Sequence, residues 1–281
     1  MSELVDEFVH GGDPAFSNDG KFVVTVPQTE NPDPGAVENY VLVYDILNDE
    51  LVDVTRQLGG PRSLPDLISI GASTAMAGDH LAAFKVEDDL VLFDLASRTV
   101  VSRESMSTLT HSDPEAPNWW STYPIAISPN GRHLLMTTSL VDLDTGDVTP
   151  LPDIGEYLGY GAVADDGSAA LRVDQSGSVN GHARVWARDG DADATPVPAD
   201  TFAPQLTADG RYVVAFAAPE GQYGARLYDR ESGDHLTASF PGHFLYDLQS
   251  WDAVGNSGLA GAYNESTGAY GVAVLPASAF S

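Results

Sequence analysis

The sequence predicts an all-β protein, a six-bladed β-propeller of four-stranded antiparallel blades. Three observations carry that expectation. A strand–turn–strand pattern recurs along the whole chain. Its turn glycines stand 58, 53, 36, 43 and 45 residues apart, about 47 on average. No apolar stripe at i, i+3, i+4, i+7 recurs to mark a helix. Four-strand units of that period cannot bury their faces alone, and stacking around a ring is how such repeats obtain a core.

The first half of each unit is an apolar strand, a tight turn and a second apolar strand. The copies are "PAFSNDGKFVVTV" (14–26), "SIGASTAMAGDHLAAFKV" (69–86), "IAISPNGRHLLMT" (125–137), "GAVADDGSAALRV" (161–173), "PQLTADGRYVVAF" (204–216) and a degenerate "LQSWDAVGNSGLAGAY" (248–263). Asn-Gly and Asp-Gly are hairpin signals because glycine accepts the positive φ of such turns. The second half is again strand, polar turn, strand. It is read at 40–55, 90–102, 139–151, 183–197 and 225–239, and an apolar residue followed by Asp often closes the third strand, as in Tyr44-Asp45 and Tyr228-Asp229. The last unit offers strands near 246–250, 257–263 and 269–275 but no fourth, whereas "ELVDEFV" (3–9) has no partner of its own. Residues 3–9 are therefore expected to complete the last blade and seal a single domain spanning 1–281. Seven blades is the alternative, because segments 28–39 and 103–123 are long enough to hold irregular strands.

Composition narrows the setting. Among 281 residues there is no cysteine, so disulfides, thiolate nucleophiles and Cys-ligated metals are excluded. Forty-one acids face 13 bases, giving a net charge of −28. Only Lys21 and Lys85 are lysines, and Asp outnumbers Glu. With 43% hydrophobic residues the chain is no disordered acidic tail; it is a folded protein with an acidic skin. Such a skin repels itself in dilute buffer and is screened in concentrated salt. This composition resembles that of proteins from extreme halophiles, haloarchaea or their viruses. No basic patch exists to neutralise phosphates, so nucleic acid is not an expected partner. The acidic start lacks the basic and apolar regions of a signal peptide, and no run approaches a membrane span. A cytoplasmic or virion location is expected, without membrane insertion.

Ser128-Pro129-Asn130-Gly131-Arg132 and Thr207-Ala208-Asp209-Gly210-Arg211, each followed by a strand and then by a pattern such as Tyr228-Asp229 with Ser232-Gly233-Asp234, resemble the repeats of TolB-type and WD-like β-propellers. The resemblance covers essentially the whole chain. It implies architecture and carries almost nothing about activity.

In such a repeat the short Asp-Gly turns share one face, and the long, individual loops fall on the other: 28–39, 56–66, 103–123, 152–159, 175–181, 218–224 and 240–245. Individual loops on a rigid scaffold are where binding usually sits. The most distinctive is "HSDPEAPNWWSTYP" (111–124). Trp119, Trp120, Tyr123 and His111 are the leading binding candidates, with Tyr157, Tyr223 and Phe244 in or beside loops of the same face, because Trp and Tyr are common interface anchors. The plain alternative is that the two tryptophans plug a gap between blades.

Chemistry is thinly marked. Asp142, Asp144 and Asp147 could offer oxygen ligands, but they occupy the same turn slot as 229–234. Asp189, Asp191, Asp193 and Asp200 match positions 1, 3, 5 and 12 of a calcium loop, so calcium is a weak possibility; Ala194 replaces the required glycine. No His pair has zinc spacing, "GNSGLAG" (255–261) lacks the second glycine of a nucleophile elbow, and no phosphate loop exists. Asp13, Asp66 and Asp247 could line a channel mouth. The expectation is a non-catalytic interaction scaffold without a cofactor, adapted to high salt and binding a protein on its long-loop face. A virion or cell-surface component binding glycan or surface-layer protein is the second reading. A metal-dependent hydrolase or lactonase is the third.

Overall fold

The structure is a computed structural model. It describes residues 10–11, 15–17, 21–30, 37–59, 63–64, 75–77, 80–86, 88–109, 124–151, 156–174, 182–186, 201–217, 224–238, 243–252, 257–264 and 266–276. Among them one short helix, α1 (Met106–Leu109), stands against twenty-six strands. No helix of the described residues is long and apolar enough to cross a membrane. The chain separates into two compact units, 1–131 and 132–281.

The first unit begins with β1 (His10–Gly11), β2 (Ala15–Phe16), β3 (Phe22–Thr25) and β4 (Pro27–Glu30). These are followed by β5 (Val37–Asn39), β6 (Leu42–Asp45), β7 (Glu50–Asp53) and β8 (Ser63–Leu64). They build two four-stranded sheets, β2–β3–β6–β7 and β1–β4–β5–β8. β3 and β4 are separated only by Val26, so the ladder continues across a break from Thr25↔Leu42 to Gln28↔Asn39. The expected 28–39 loop is therefore corrected: both its flanks are strand. Cross-strand pairing carried the hairpin further than the loss of apolar alternation suggested.

The next sheet is β9 (Ala75–Ala77), β10 (Leu81–Val86), β11 (Asp89–Asp94) and β12 (Thr99–Ser105), a meander in chain order. β12 and α1 occupy residues 99–109, so the start of the expected 103–123 loop is ordered structure as well. Phe22, Val24, Val43, Val54, Phe84, Val91 and Phe93 form one continuous core between the β2–β3–β6–β7 and β9–β12 sheets. Phe84 and Phe93 meet edge to face, ring centroids 6.4 Å apart. β13 (Pro124–Ile127), which ends this unit, packs on β9 and β10.

The second unit begins with β14 (His133–Met136), β15 (Ser139–Asp142) and β16 (Val148–Pro150), paired in chain order. Next come β17 (Glu156–Val163), β18 (Ala169–Asp174) and β19 (His182–Trp186), then β20 (Thr201–Leu206), β21 (Tyr212–Ala217), β22 (Gly224–Asp229) and β23 (His235–Thr237). The last sheet is β24 (His243–Asp252), β25 (Ser257–Asn264) and β26 (Tyr270–Pro276). Every sheet of this unit is antiparallel and runs in chain order. β20 packs across β17, β18 and β19, and β24 packs across β20, β21 and β22, so each new sheet enters by laying its first strand over its predecessor. Ala162, Ala170, Val185, Leu206, Val213, Ala215 and Tyr228 are the core where β17–β19 meets β20–β23.

The turns explain why the strands form where they do. Gly131, Gly167 and Gly210 hold φ of 75°, 86° and 70°, the left-handed conformation that a side chain disfavours. Each glycine N–H closes its turn onto the carbonyl three residues back: Ser128, Ala164 and Thr207. Gly20, Gly78 and Gly255, the other three turn glycines of the repeat, lie outside the described residues, as does the segment 3–9 expected to complete the last blade.

Candidate functional site

Four sheets share a second device at the same end. The residue after the closing Asp of the third strand donates its N–H to the residue that opens the second strand. The bonds are Ile46 to Lys21 (2.8 Å), Leu95 to His80 (2.7 Å), Leu143 to Arg132 (2.7 Å) and Arg230 to Arg211 (3.0 Å). The accepting residue carries a basic side chain in all four. The closing acid is Asp45, Asp94, Asp142 or Asp229. Arg132 grips Asp142 through Nε (3.1 Å) and Nη2 (2.8 Å), and Arg211 grips Asp229 in the same way at 3.3 and 2.8 Å. The other oxygen of each Asp caps the turn, accepting from the Asp144 and Thr145 N–H groups in one sheet and from Glu231 and Ser232 in the other.

These bonds fix the charge state of the turn acids. The Arg132 hydrogen bond, aided by the turn N–H groups against the opposing effect of desolvation, holds Asp142 down at about 2. Arg211 lowers Asp229 in the same way, the Asn48 amide lowers Asp45, and the Ser97 N–H lowers Asp94. Carboxylates held ionised by donors on their own sheet are turn clamps and poor proton carriers near neutrality. Among the described residues no three His, Asp or Glu side chains cluster as a metal site. Asp142, Asp144 and Asp147 instead bond within their own turn, to Arg132 and Thr145.

The last sheet departs from this scheme. Its β25–β26 turn repeats the β22–β23 turn in backbone: Gly233 donates to Asp229 O and Gly268 to Asn264 O, and both glycines have positive φ. The rings repeat too, Tyr228 with His235 at 6.0 Å and Tyr263 with Tyr270 at 5.0 Å. The acid, however, has become Asn264. Its Oδ1 caps Ser266 and Thr267, and its Nδ2 donates to His243 Nε2 at 3.0 Å. Over this turn lies a groove of about 240 Å³, lined by His243, Asn264, Thr267, Tyr270, Gly271 and small alanines. Sequence reading missed it. The signal was available, in the match of Tyr263-Asn264…Gly268 to Tyr228-Asp229…Gly233.

Of the residues expected to form a binding face, His111, Trp119, Trp120, Tyr123 and Tyr223 lie outside the described residues, as do Asp189, Asp191, Asp193 and Asp200. Tyr157 and Phe244 stand at the starts of strands that border the loops expected at 152–159 and 240–245. Tyr157 lies opposite Val173 and Phe244 opposite Tyr263, because β17 and β24 begin earlier than those loop bounds allowed.

No protein-family model matches the chain, and no curated protein matches it significantly. Solved structures do. An oligogalacturonate lyase from Vibrio parahaemolyticus aligns with TM-score 0.58 and 11% identity, covering 93% of this chain and 76% of that one. The β-propeller domain of Cps50 (Swd1) from Myceliophteria thermophila aligns with TM-score 0.50 and 15% identity, covering 93% and 82%. TolB from Acinetobacter baumannii aligns with TM-score 0.49 and 14% identity over 81% of this chain, which spans only 54% of that protein. At these identities the likeness is one of fold: the chain has the β-propeller type of repeated sheet, shared with an oligogalacturonate lyase and with a β-propeller domain alike.

Proposed function

We propose that this protein is a non-catalytic β-propeller scaffold that binds a protein partner in a salt-rich setting. In this reading the repeat units are six blades in a closed ring, with residues 3–9 pairing along the free edge of β26. The observation that carries it is the use made of the turn carboxylates. Asp45, Asp94, Asp142 and Asp229, the most regular polar groups of the repeat, are engaged by donors of their own sheets. That leaves recognition to the segments that do not repeat. The aromatic-rich "NWWSTY" (118–123) is the most individual of these, and we place the partner there, around Trp119, Trp120 and Tyr123 with His111 beside them. A shared propeller fold with proteins of mixed activity is compatible with a scaffold and does not require an enzyme.

The test is co-purification from the native host in molar salt. Wild type should co-elute with a defined partner, and the double variant Trp119→Ala/Trp120→Ala should lose it while keeping the wild-type circular-dichroism spectrum and melting temperature. A folded double variant that retains the same partner would refute the assignment of the docking face.

A further inference from the structure

We propose that Asn130 is a modification site at which the chain alters itself. The backbone nitrogen of Gly131 attacks the Asn130 side-chain amide, which ends as the carboxylate of an ordinary or a β-linked aspartate. The residues are those of the turn that follows β13. Asn130 is exposed, and the next residue is a glycine, whose backbone nitrogen no side chain shields. Ser128 Oγ donates to Asn130 Oδ1 at 2.7 Å. A donor on that oxygen draws electrons from the amide carbon and stabilises the oxyanion that forms when the carbon is attacked.

The step needs no cofactor. The Gly131 N–H gives its proton to hydroxide, and the nitrogen bonds to Asn130 Cγ, closing a five-membered imide ring. The Cγ–Nδ2 bond breaks, and ammonia leaves with a proton taken back from water. Water then adds to one of the two imide carbonyls. Breaking the new N–Cγ bond gives ordinary aspartate. Breaking the original peptide bond gives β-linked aspartate, in which the main chain runs through Cγ. The net change is amide plus water to carboxylate plus ammonium.

The turn governs when this happens. Gly131 N–H donates to Ser128 O at 2.8 Å, with φ at 75°. The nitrogen has to leave that bond before it reaches Cγ, so the reaction runs from the opened turn. Sister turns show what the products do. Asp209 holds the place of Asn130 and accepts from Thr207 Oγ1 at 2.6 Å, while Gly210 N closes onto Thr207 O at 2.8 Å. Asp166 is the other counterpart, and Gly167 N closes onto Ala164 O at 3.0 Å. Ordinary aspartate at 130 therefore fits the turn. β-linked aspartate adds one backbone carbon ahead of Gly131 N and takes that nitrogen off Ser128 O.

The full chain is aged in mildly alkaline buffer, folded in molar KCl and unfolded in guanidinium chloride, and its peptides are followed by mass spectrometry. The chain's other Asn-Gly, Asn180-Gly181, lies outside the described residues. In the unfolded chain it is the reference: a silent Asn130 beside a converting Asn180 is a true negative. Asn130 should gain the mass of an amide-to-acid change and split into two products. Conversion should be at least about fivefold faster unfolded than folded, the factor that one closing hydrogen bond supplies. Gly131→Ala shields the nitrogen and should slow conversion in the unfolded chain about tenfold. Asn130→Asp should melt as wild type does, and the separated β-linked product should melt lower. No conversion of the unfolded chain, equal rates folded and unfolded, undiminished conversion of Gly131→Ala, or a β-linked product that melts as wild type does would each overturn the proposal.

Discussion

Single residues decide the polar chemistry of this protein, and the Arg132–Asp142 pair shows how. Asp142 titrates at about 2 because Arg132 and two turn N–H groups bind its ionised form. A carboxylate lowered on folding adds stability above its unfolded value, about 3.9, and that stability fades as pH falls toward the folded value. In a carboxyl-carbon NMR titration, Asp142 should therefore lie well below exposed aspartates, and Arg132→Leu should move it back toward the ordinary range. An unmoved Asp142 would show that the N–H groups alone suffice. The turn glycines supply a second residue-scale comparison. Gly131 and Gly210 both have positive φ, so alanine costs about 1–2 kcal/mol at either. At Gly210 a new Cβ would also meet the Asp166 carboxylate at 2.7 Å, whereas at Gly131 nothing lies within 4 Å. Gly210→Ala should lower the denaturation midpoint more than Gly131→Ala, and equal losses would show that Asp166 turns away freely.

At the scale of elements, the outer strands differ from the inner ones in a consistent way. Val100 and Val101 on β12, Leu236 on β23, and Tyr270 and Val274 on β26 are the exposed large hydrophobics among the described strands. The inner strands β10, β11 and β14 are buried almost throughout. This gradient follows from stacking: a strand with a sheet on each side is covered on both faces, and a strand at the rim is not. Burial therefore predicts where substitutions are felt. Phe84→Ala, which empties a fully buried position of the core around Phe93, should cost about 3–5 kcal/mol in chemical denaturation. Val101→Ala on the rim should stay within about 0.5 kcal/mol. The same reasoning shows why the loop bounds at 152–159 and 240–245 run too long, past Tyr157 and Phe244. Each stands where a strand begins, and strand ends are set by ladder pairing with a partner that local alternation does not reveal.

For the molecule as a whole, charge is the dominant variable. A net charge of −28 on 281 residues is self-repelling when the screening length is about 30 Å at 0.01 M salt, and largely silenced when it is about 3 Å at 1 M. The melting temperature should rise steeply from millimolar to molar KCl. Equal melting temperatures across that range would contradict salt adaptation. Disrupting the Arg–Asp clamps should steepen the dependence further, since each such loss removes a cation from a surface that has few.

The sequence by itself determined the all-β class, the repeated unit, the turn glycines and the acidic, cysteine-free character. These were legible because a tight turn is dictated within four or five residues, by the φ a glycine permits and the bonds a Ser, Thr or Asp makes to its own backbone. Tertiary structure decided the rest. It paired Arg132 with Asp142 and Arg211 with Asp229, which lie 10 and 18 residues apart. It set Ala262 against Gly271, beside a groove that also touches His243 and Asn264. The physical reason is register: which side chains face one another across a ladder depends on how two strands align, and space is left only where both members of a facing pair are small.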